Sequence, residues 1–417
     1  MAGGNVHRNG RVRGSWVDFR LGYQPAFDGL RGIGVTIIVL YHGAILYQGK
    51  THPSLLPGAQ MWLELFFVQS GFLITSFVLE EWHRTGEVRL RRFYLRRAAR
   101  LAPALLAVAA FSAVALLTFS PFKGLDQPWW ELGAAVAYVE NWIAAFGVTD
   151  YPFYMGHTWS LGIEQQFYLV APLLVLLLVA GSRSLRRPLP LLVAGAVASA
   201  VWMGVLASRT VEAVELQRPY YGTDSRAQGL LIGVALAFAL HSGVWLRGTR
   251  TQGAVAAVWG HLGFVVMVWV AFSADIREKD LFYGTFLLCA VAVAGILSEV
   301  IAHPRGPMAR SLSFRPFRWT GARAYGLYLW HWPIVMVVGQ YTDWGEFETI
   351  AAEVAVSFAV AALSYQVLER PIMRRVAARH PRVAVPVAGV DEPRAEDVVA
   401  GAVTAAAPSA QPAHLTG

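Results

Sequence analysis

Long apolar runs separated by short arginine-bearing segments dominate this chain. Most of the runs reach the roughly 17–25 residues that a helix needs to cross a bilayer. A further apolar stretch, 132–146, is short and interrupted by Glu140 and Asn141. We interpret it as a re-entrant or interfacial segment. The pattern predicts an all-α polytopic integral membrane protein with about ten transmembrane helices, at 31–48, 60–80, 101–119, 163–180, 189–207, 226–241, 254–272, 281–301, 323–341 and 349–369.

The basic residues between these runs predict the orientation of the chain. Arginine is concentrated in every second loop, as expected for loops that stay in the cytoplasm. The arginine-rich loops are 81–100, 181–188, 242–253, 302–322 and 370–382. The alternate loops offer only Lys50, Lys123, Arg209, Arg218, Arg277 and Lys279. Ten spans with both termini cytoplasmic fit this asymmetry, whereas an additional span at 132–146 would invert every later loop.

Composition supports the same class of protein. The chain is 55% hydrophobic and only 15% charged, against about 25% charged residues in average soluble chains. The net charge of +8 follows the topology of the loops and does not point to nucleic acid. The single cysteine, Cys289, excludes a disulfide framework within the chain, and no cleavable signal peptide is visible. We expect a basic cytoplasmic N-terminal segment (1–23), a membrane domain (24–372) and a disordered cytoplasmic tail (373–417).

Three ionisable residues occur in or just before the first apolar run. Arg31 and His42 are eleven positions apart, so a helix would bring both to one face, roughly 16 Å apart along its axis. Asp28 falls close to the same face. A charge in a membrane helix costs at least about 2.5 kcal/mol on insertion, so this alignment suggests a polar path through the interior. Alternatively, Asp28 and Arg31 are cytoplasmic flanks and His42 caps the outer end.

The loop between the second and third runs contains seven arginines and no lysine. Four of them recur every three or four residues and would line one helix face: Arg89, Arg92, Arg96 and Arg100. Such a row could bind anionic lipid or the phosphates of a cofactor. It could also be a topology signal alone, although arginine without lysine favours bidentate phosphate recognition.

Further polar residues interrupt the later runs. Glu164 lies just inside the fourth run, on the side that His42 also approaches, where it could orient the imidazole or serve as a helix N-terminal carboxylate. Ser70 and Gly71 are either a packing notch or a substrate contact. Asp224 and Arg226 could meet a polar acceptor or pair locally. His331 lies near mid-membrane before Pro333, as a ligand contact or a partner for a neighbouring helix.

Taken in order, these motifs resemble the membrane-bound acyltransferase-3 family, which O-acylates sugars, polysaccharides and other hydroxyls. The resemblance covers about residues 24–372, and the ordered set of motifs is specific. Two positions depart from the family pattern, Gln165 and Gln228, where acidic residues are common. The matching residues are Asp28-Gly29-Leu30-Arg31 with His42, Phe67 to Phe72, Arg96-Arg97 with Arg100 and Pro103, Thr158-Trp159-Ser160-Leu161, Glu164 with Phe167-Tyr168, Arg226, Tyr328-Leu329-Trp330-His331 and Glu369-Arg370-Pro371.

The resemblance implies a ten-span fold, a multi-pass protein of the plasma membrane, and a cytoplasmic acyl-CoA donor, usually acetyl-CoA. Some members carry a fused extracellular esterase-like domain, and for this chain we expect a second acyl-transfer partner to be separate or not to be needed. Arg31 and His42 match the family's R-x10-H motif. We expect His42 and Glu164 to be catalytic, and the donor phosphates to contact Arg31, Arg92, Arg96, Arg97 and Arg100. Expected substrate contacts are Asp28, Ser70, Trp159, Asp224, Arg226, Tyr328 and His331.

The function predicted from the sequence is therefore membrane O-acylation of a hydroxyl. His42 would act as general base or carry the acyl group itself, and sequence leaves both open. No metal is implied, because no cluster has ligand spacing. Cell-envelope glycans, glycolipids and macrolide-like metabolites all remain possible acceptors. The rival class is a carrier or flippase for a polar lipid or glycan, which would use the same buried charges as a pathway.

Overall fold

The computed structural model describes residues 19–46, 56–118, 128–147, 155–182, 184–210, 216–275, 278–341 and 344–379. Within these ranges the secondary structure is helical and contains no strand. Most of the two predicted terminal segments, residues 1–18 and 380–417, falls outside them. Ten helices have 18 or more residues: α1 (Pro25–Leu46), α2 (Leu63–Thr85), α3 (Leu90–Thr118), α4 (Trp159–Ala180), α5 (Pro188–Ser208), α6 (Thr223–His241), α7 (Arg250–Ser273), α8 (Thr285–Ala302), α9 (Ala324–Tyr341) and α10 (Glu346–Ser364).

Seven helical stretches of the described chain are long and apolar enough to cross a membrane. They contain α2, α3, α4, α5, α7, α8 and α10. The chain is therefore a multi-pass membrane protein, while the count of ten spans stays a prediction. The other three long helices, α1, α6 and α9, carry half of the side chains predicted for the site: Asp28, Arg31, His42, Asp224, Arg226, Tyr328 and His331.

The interrupted stretch 132–146 contributes to two short helices, Pro128–Val136 and Glu140–Ala145, which are separated at Tyr138 by a positive φ of 58°. Neither helix approaches the about 20 residues of a membrane span, in agreement with the prediction that this stretch does not cross. Asn141 is buried, and its Nδ2 donates to the Tyr221 carbonyl at 3.1 Å and to Thr223 Oγ1 at 2.9 Å. The segment is therefore fastened to the start of α6.

Glycine lets α2 and α6 pack with their backbones in close contact. Gly71 of α2 faces Leu230 so closely that a Cβ at position 71 would overlap the Leu230 carbonyl oxygen. Gly233 of α6 meets the Val68 carbonyl in the same way. The packing notch predicted for this part of α2 is present.

We expect Gly71→Ala to destabilise the protein by about 1–3 kcal/mol, the usual cost of forcing extra atoms into a packed interior. Gly133→Ala is the matched control, because nothing lies within 4 Å of a Cβ built there. Thermal unfolding of the purified protein in detergent would measure both. Equal midpoints for the two variants would mean that α2 and α6 separate without cost.

Two short helices, Pro307–Leu312 and Arg315–Ala322, cross the beginning of α1. Gly29 lies at the first crossing, and Gly32 and Gly321 lie at the second. At each of these three positions a Cβ would overlap a carbonyl oxygen of the facing segment. The end of α1 that carries Asp28 and Arg31 is thus clamped between backbones, which fixes its position relative to the rest of the site.

Candidate active site

The polar face of α1 forms one wall of the candidate site. Asp28, Arg31 and His42 are all partly buried. The helix is continuous from Pro25 to Leu46, so Arg31 and His42 stand about 16 Å apart along its axis. Arg31 and His42 each contact a different group of side chains, and those groups come from other helices.

His42 is hydrogen-bonded to a second histidine. Nδ1 of His42 and Nε2 of His331 are 2.8 Å apart, the ring planes are within 8° of parallel, and the ring centroids are 5.0 Å apart. Because 2.8 Å is shorter than the about 3.5 Å separation of atoms in stacked rings, the two imidazoles meet edge to edge. The structure thus joins two predicted site residues that are 289 positions apart in sequence.

His331 is fully buried, and aromatic rings enclose the pair. The His157 ring meets His331 at a centroid distance of 5.3 Å and stacks on Trp332 at 5.4 Å. The Tyr328 hydroxyl donates to the His157 carbonyl at 2.6 Å. We refer to this group as the histidine cluster: His42, His157, His331, Tyr328 and Trp332.

Glu164, the predicted partner of His42, makes a different contact. The Tyr168 hydroxyl donates to Glu164 Oε2 at 2.9 Å, and Ser70 Oγ lies 2.6 Å from the Tyr168 hydroxyl oxygen. In the described part of the chain no hydrogen bond joins Glu164 to His42. Sequence gives the depth of Glu164 along its helix. It does not give which neighbouring helix the side chain faces. The predicted Glu164–His42 contact is therefore not formed.

Two arginine side chains, Arg31 and Arg97, act electrostatically on the Glu164 carboxyl group. The Arg97 guanidinium lies over the Tyr168 ring, 3.5 Å from its centroid. Arg31 interacts electrostatically with Asp28 and Glu164, and with the like charge of Arg100. We refer to this group as the arginine cluster: Asp28, Arg31, Ser70, Arg97, Arg100, Glu164 and Tyr168.

Tyr23 closes the Asp28 side of the arginine cluster. Its hydroxyl donates to Asp28 Oδ2 at 2.8 Å. Burial and the neighbouring Asp28 carboxylate raise the pKa of the Tyr23 hydroxyl above its ordinary value. The hydroxyl therefore keeps its proton at neutral pH and remains a donor to Asp28.

The predicted basic row lies at the beginning of α3. Arg92, Arg96 and Arg100 are partly buried, whereas Arg89 is exposed. Arg97 lies beside this row, one residue further around the helix, and is the arginine that stacks on α4. Arg97 and Arg100 are the arginines by which α3 reaches the arginine cluster.

One face of α4 connects the two clusters. Ser160, Glu164 and Tyr168 recur every four residues, so they lie one above another over about 12 Å. Ser160 Oγ lies 2.7 Å from the Tyr328 hydroxyl oxygen, in the histidine cluster. At the other end Tyr168 contacts Arg97. A line of hydroxyl and carboxyl groups therefore runs between the two clusters along α4.

Arg226 and Trp159, two of the expected substrate contacts, pack against each other away from the polar line on α4. The Arg226 side chain is 0% exposed and pairs with Glu64 of α2 at 3.2 Å, between Nη2 and Oε1. Its guanidinium lies 4.4 Å from the centroid of the Phe286 ring. Aromatic rings fill the remaining space around Arg226: Phe67, Trp159 and Tyr220. The described contacts of Arg226 are with Glu64 and these rings, and the substrate contacts expected for Arg226 and Trp159 stay predictions.

Asp224 pairs locally, which was one of the two alternatives for it. Arg218 Nη1 and Nη2 donate to the two Asp224 carboxylate oxygens at 3.0 and 2.6 Å. Trp202 Nε1 donates to Oδ2 at 2.8 Å. Asp224 Oδ1 also accepts from the backbone N–H of Ser225 at 3.0 Å, in the first turn of α6. The described hydrogen bonds of Asp224 therefore connect the start of α6 to Arg218 and Trp202.

Several residues of the site and its surroundings were not predicted from the sequence, among them Trp332 of the histidine cluster. His157, Ser160 and Tyr168 stand inside motifs that were noticed, but nothing local indicates that they meet α9, α2 or α3. Glu64 carried a usable signal, since an acidic residue within an apolar run demands a partner. Among the described residues, no group of three or more His, Cys, Asp or Glu side chains could hold a metal ion.

Helices of membrane-spanning length around two polar clusters define the class of a multi-pass membrane protein. The chain belongs to the acyltransferase-3 family, because residues 24–369 match the family model described as an acyltransferase domain. This match agrees with the resemblance read from the motifs. It also supports a multi-pass protein located in the cell membrane.

The chain is similar to two curated relatives. It is 32% identical over 373 residues to the peptidoglycan O-acetyltransferase OatA of Listeria monocytogenes, covering 84% of this chain and 56% of the relative. It is 31% identical over 368 residues to the O-acetyltransferase OatA of Staphylococcus aureus, covering 85% and 58%. The chain thus spans a little over half the length of these relatives. No solved structure matches it.

Proposed function

We propose that the chain is a membrane O-acetyltransferase that moves an acetyl group to a hydroxyl of peptidoglycan. Family membership supports acyl transfer, the names of both relatives support acetyl as the group, and the name of the Listeria monocytogenes relative supports peptidoglycan as the acceptor. The observation that carries the proposal is the polar line on α4 between the arginine and histidine clusters. It offers a phosphate-binding end and a proton-transfer end within one site.

The arginine cluster suits the donor. Acetyl-CoA is rich in phosphate, and guanidinium groups bind phosphate oxygens in bidentate fashion. The residues we assign to its phosphates are Arg31, Arg92, Arg96, Arg97 and Arg100. Arg31 and Arg100 repel each other electrostatically, and a bound polyanion would relieve that repulsion. The thioester would then extend along α4 toward His42.

At the histidine cluster, His42 supplies the chemistry in one of two ways. As general base it accepts the proton of the acceptor hydroxyl while the hydroxyl oxygen bonds to the acyl carbon. The carbon–sulfur bond breaks, and His42 returns the proton to the leaving thiolate. As acyl carrier, His42 attacks the acyl carbon first, and the acceptor hydroxyl then removes the acyl group from the imidazole. Both routes balance with a thioester and an alcohol as the reactants.

The proposed orientation has ten spans with both termini in the cytoplasm. Reporter fusions after Arg187 and after Arg318 should report cytoplasm, because arginine-rich loops resist translocation. A fusion after Asp150, which lies outside the described residues, should report the external side. Cytoplasmic reporting at position 150 would add a span and reverse every later loop.

Arg97→Lys is expected to weaken acetyl-CoA binding about tenfold, or about 1.4 kcal/mol. Lysine keeps the charge but loses both the planar fork and the stacking on Tyr168. Arg91→Lys is the matched control, because Arg91 is exposed on the same helix. Calorimetric titration of the purified variants with acetyl-CoA would measure the difference. If Arg97→Lys binds acetyl-CoA as tightly as wild type, the arginine-rich loop acts only as a topology signal.

Two measurements test the proposed function. Peptidoglycan from cells lacking the gene should release less base-labile acetate than peptidoglycan from complemented cells, and a His42→Ala copy should fail to restore it. In proteoliposomes, the purified protein should consume labelled acetyl-CoA. A carrier or flippase, the rival read from the sequence, would leave acetyl-CoA intact. Unchanged cell-wall acetate combined with loss of acetyl from another fraction would redirect the acceptor.

A further inference from the structure

The hydrogen bonds around His331 determine which nitrogen of His42 is available. A neutral imidazole has one N–H donor and one bare acceptor nitrogen. Nδ1 of His331 lies 3.3 Å from the Leu327 carbonyl oxygen. A carbonyl oxygen only accepts hydrogen bonds, so Nδ1 of His331 must carry the hydrogen. Its Nε2 is then the bare acceptor.

The same reasoning passes to the next ring. Nε2 of His331 is 2.8 Å from Nδ1 of His42. Since the His331 nitrogen accepts, the His42 nitrogen must donate, and Nδ1 of His42 carries its hydrogen. The second nitrogen, Nε2 of His42, is left without a hydrogen and with a free lone pair. That is the form required of either a general base or a nucleophile.

We propose that His331 is a positioning residue that holds His42 in the tautomer with hydrogen on Nδ1, leaving Nε2 to take the proton or the acyl group. This inference rests on the proposed function. In many hydrolases a carboxylate performs this task for the catalytic histidine. Here the carboxylate predicted for that task, Glu164, accepts a hydrogen bond from Tyr168.

An imidazole partner can take over the positive charge that His42 gains when it accepts a proton. When Nε2 of His42 takes the acceptor proton, the Nδ1 hydrogen can move across the 2.8 Å bond to Nε2 of His331. The charge then rests on His331, whose Nδ1–H points to the Leu327 carbonyl. When the thiolate leaves, the two transfers run backward, and Nε2 of His42 delivers the proton to sulfur. No proton is gained or lost by the pair over the cycle.

The surroundings of His331 suit a fixed orientation. The His331 ring is fully buried on α9. Its centroid lies 5.3 Å from that of the His157 ring and 5.4 Å from that of the Tyr328 ring. Pro333 follows two residues later and has no N–H, so the Leu329 carbonyl lacks its helical partner. The ring contacts of His157 with His331 and Trp332 tie the segment before α4 to this turn of α9.

Two substitutions separate positioning from simple packing. In His331→Gln the amide oxygen can replace Nε2 as an acceptor, whereas His331→Leu fills similar space without one. We expect His331→Leu to lower kcat about 10²-fold, with KM for acetyl-CoA within about threefold of wild type. His331→Gln should recover most of kcat. His261→Leu is the control, because His261 is exposed on α7 and bonds only to the Ala257 carbonyl.

Nitrogen-15 NMR of histidine-labelled protein in detergent reads the tautomer directly and does not depend on turnover. The His42 signals, assigned by their loss in His42→Ala, should report the Nδ1–H form in wild type and in His331→Gln, and a mixture of both forms in His331→Leu. An unchanged Nδ1–H form in His331→Leu, or equal loss of kcat in the leucine and glutamine variants when both are folded, would overturn the inference. An inactive wild-type protein with the expected tautomers would instead count against the proposed acyl transfer alone.

Discussion

His42→Ala should lower acetyl transfer by about 10²–10⁴-fold, the usual contribution of a general base, while leaving acetyl-CoA affinity within a factor of about two. The separation follows from the geometry of α1. His42 and Arg31 stand eleven residues apart, so the variant removes the proton-transfer end and leaves the phosphate-binding end in place. Arg31→Ala should behave in the opposite way and weaken donor binding first. Initial rates and calorimetric titrations on the same preparations would measure both effects.

The same variant distinguishes the two chemical roles of His42. If the imidazole carries the acyl group, labelled acetyl-CoA without acceptor should leave label on wild-type protein and none on His42→Ala. If His42 is only a base, neither protein should retain label. His261→Ala, at an exposed histidine of α7, controls for nonspecific acetylation. Near wild-type transfer by His42→Ala would move the chemistry to His331 or Glu164 and end both versions.

Features with a short sequence repeat were predictable from the sequence. The helical period placed Asp28, Arg31 and His42 on one helix, and the structure has that helix from Pro25 to Leu46. The interruption at Glu140 and Asn141 correctly argued against a span. These predictions need only the distance between neighbours along one element. They required no knowledge of which helices touch.

Partners contributed by distant segments were not predictable in this way. His42 and His331 are 289 residues apart, and the sequence gives no register between α1 and α9. The depth of Glu164 suggested His42 as its partner, but its side chain meets Tyr168 one turn along the same helix. The sequence left open whether Arg226 meets a polar acceptor or pairs locally. Its partner, Glu64, is equally buried and lies on α2.

Arg226→Met is expected to destabilise the protein by about 3–5 kcal/mol, because it leaves Glu64 as an uncompensated charge in the interior. Both side chains are 0% exposed, so solvent cannot take over the role of the guanidinium. The lost contacts with the surrounding aromatic rings add to the effect. Thermal unfolding in detergent should show a large drop of the midpoint relative to wild type. A midpoint equal to wild type would mean that Glu64 does not depend on this ion pair.

The double variant Glu64→Met with Arg226→Met should recover much of the lost stability, since replacing a whole buried ion pair by apolar side chains is often neutral or stabilising. Activity of this double variant then decides between the two roles proposed for Arg226. If Arg226 only packs among Phe67, Trp159 and Phe286, the folded double variant should transfer acetyl groups at a rate close to wild type. A stable but inactive double variant would return Arg226 to the substrate site, and would require the aromatic enclosure to open when the acceptor binds.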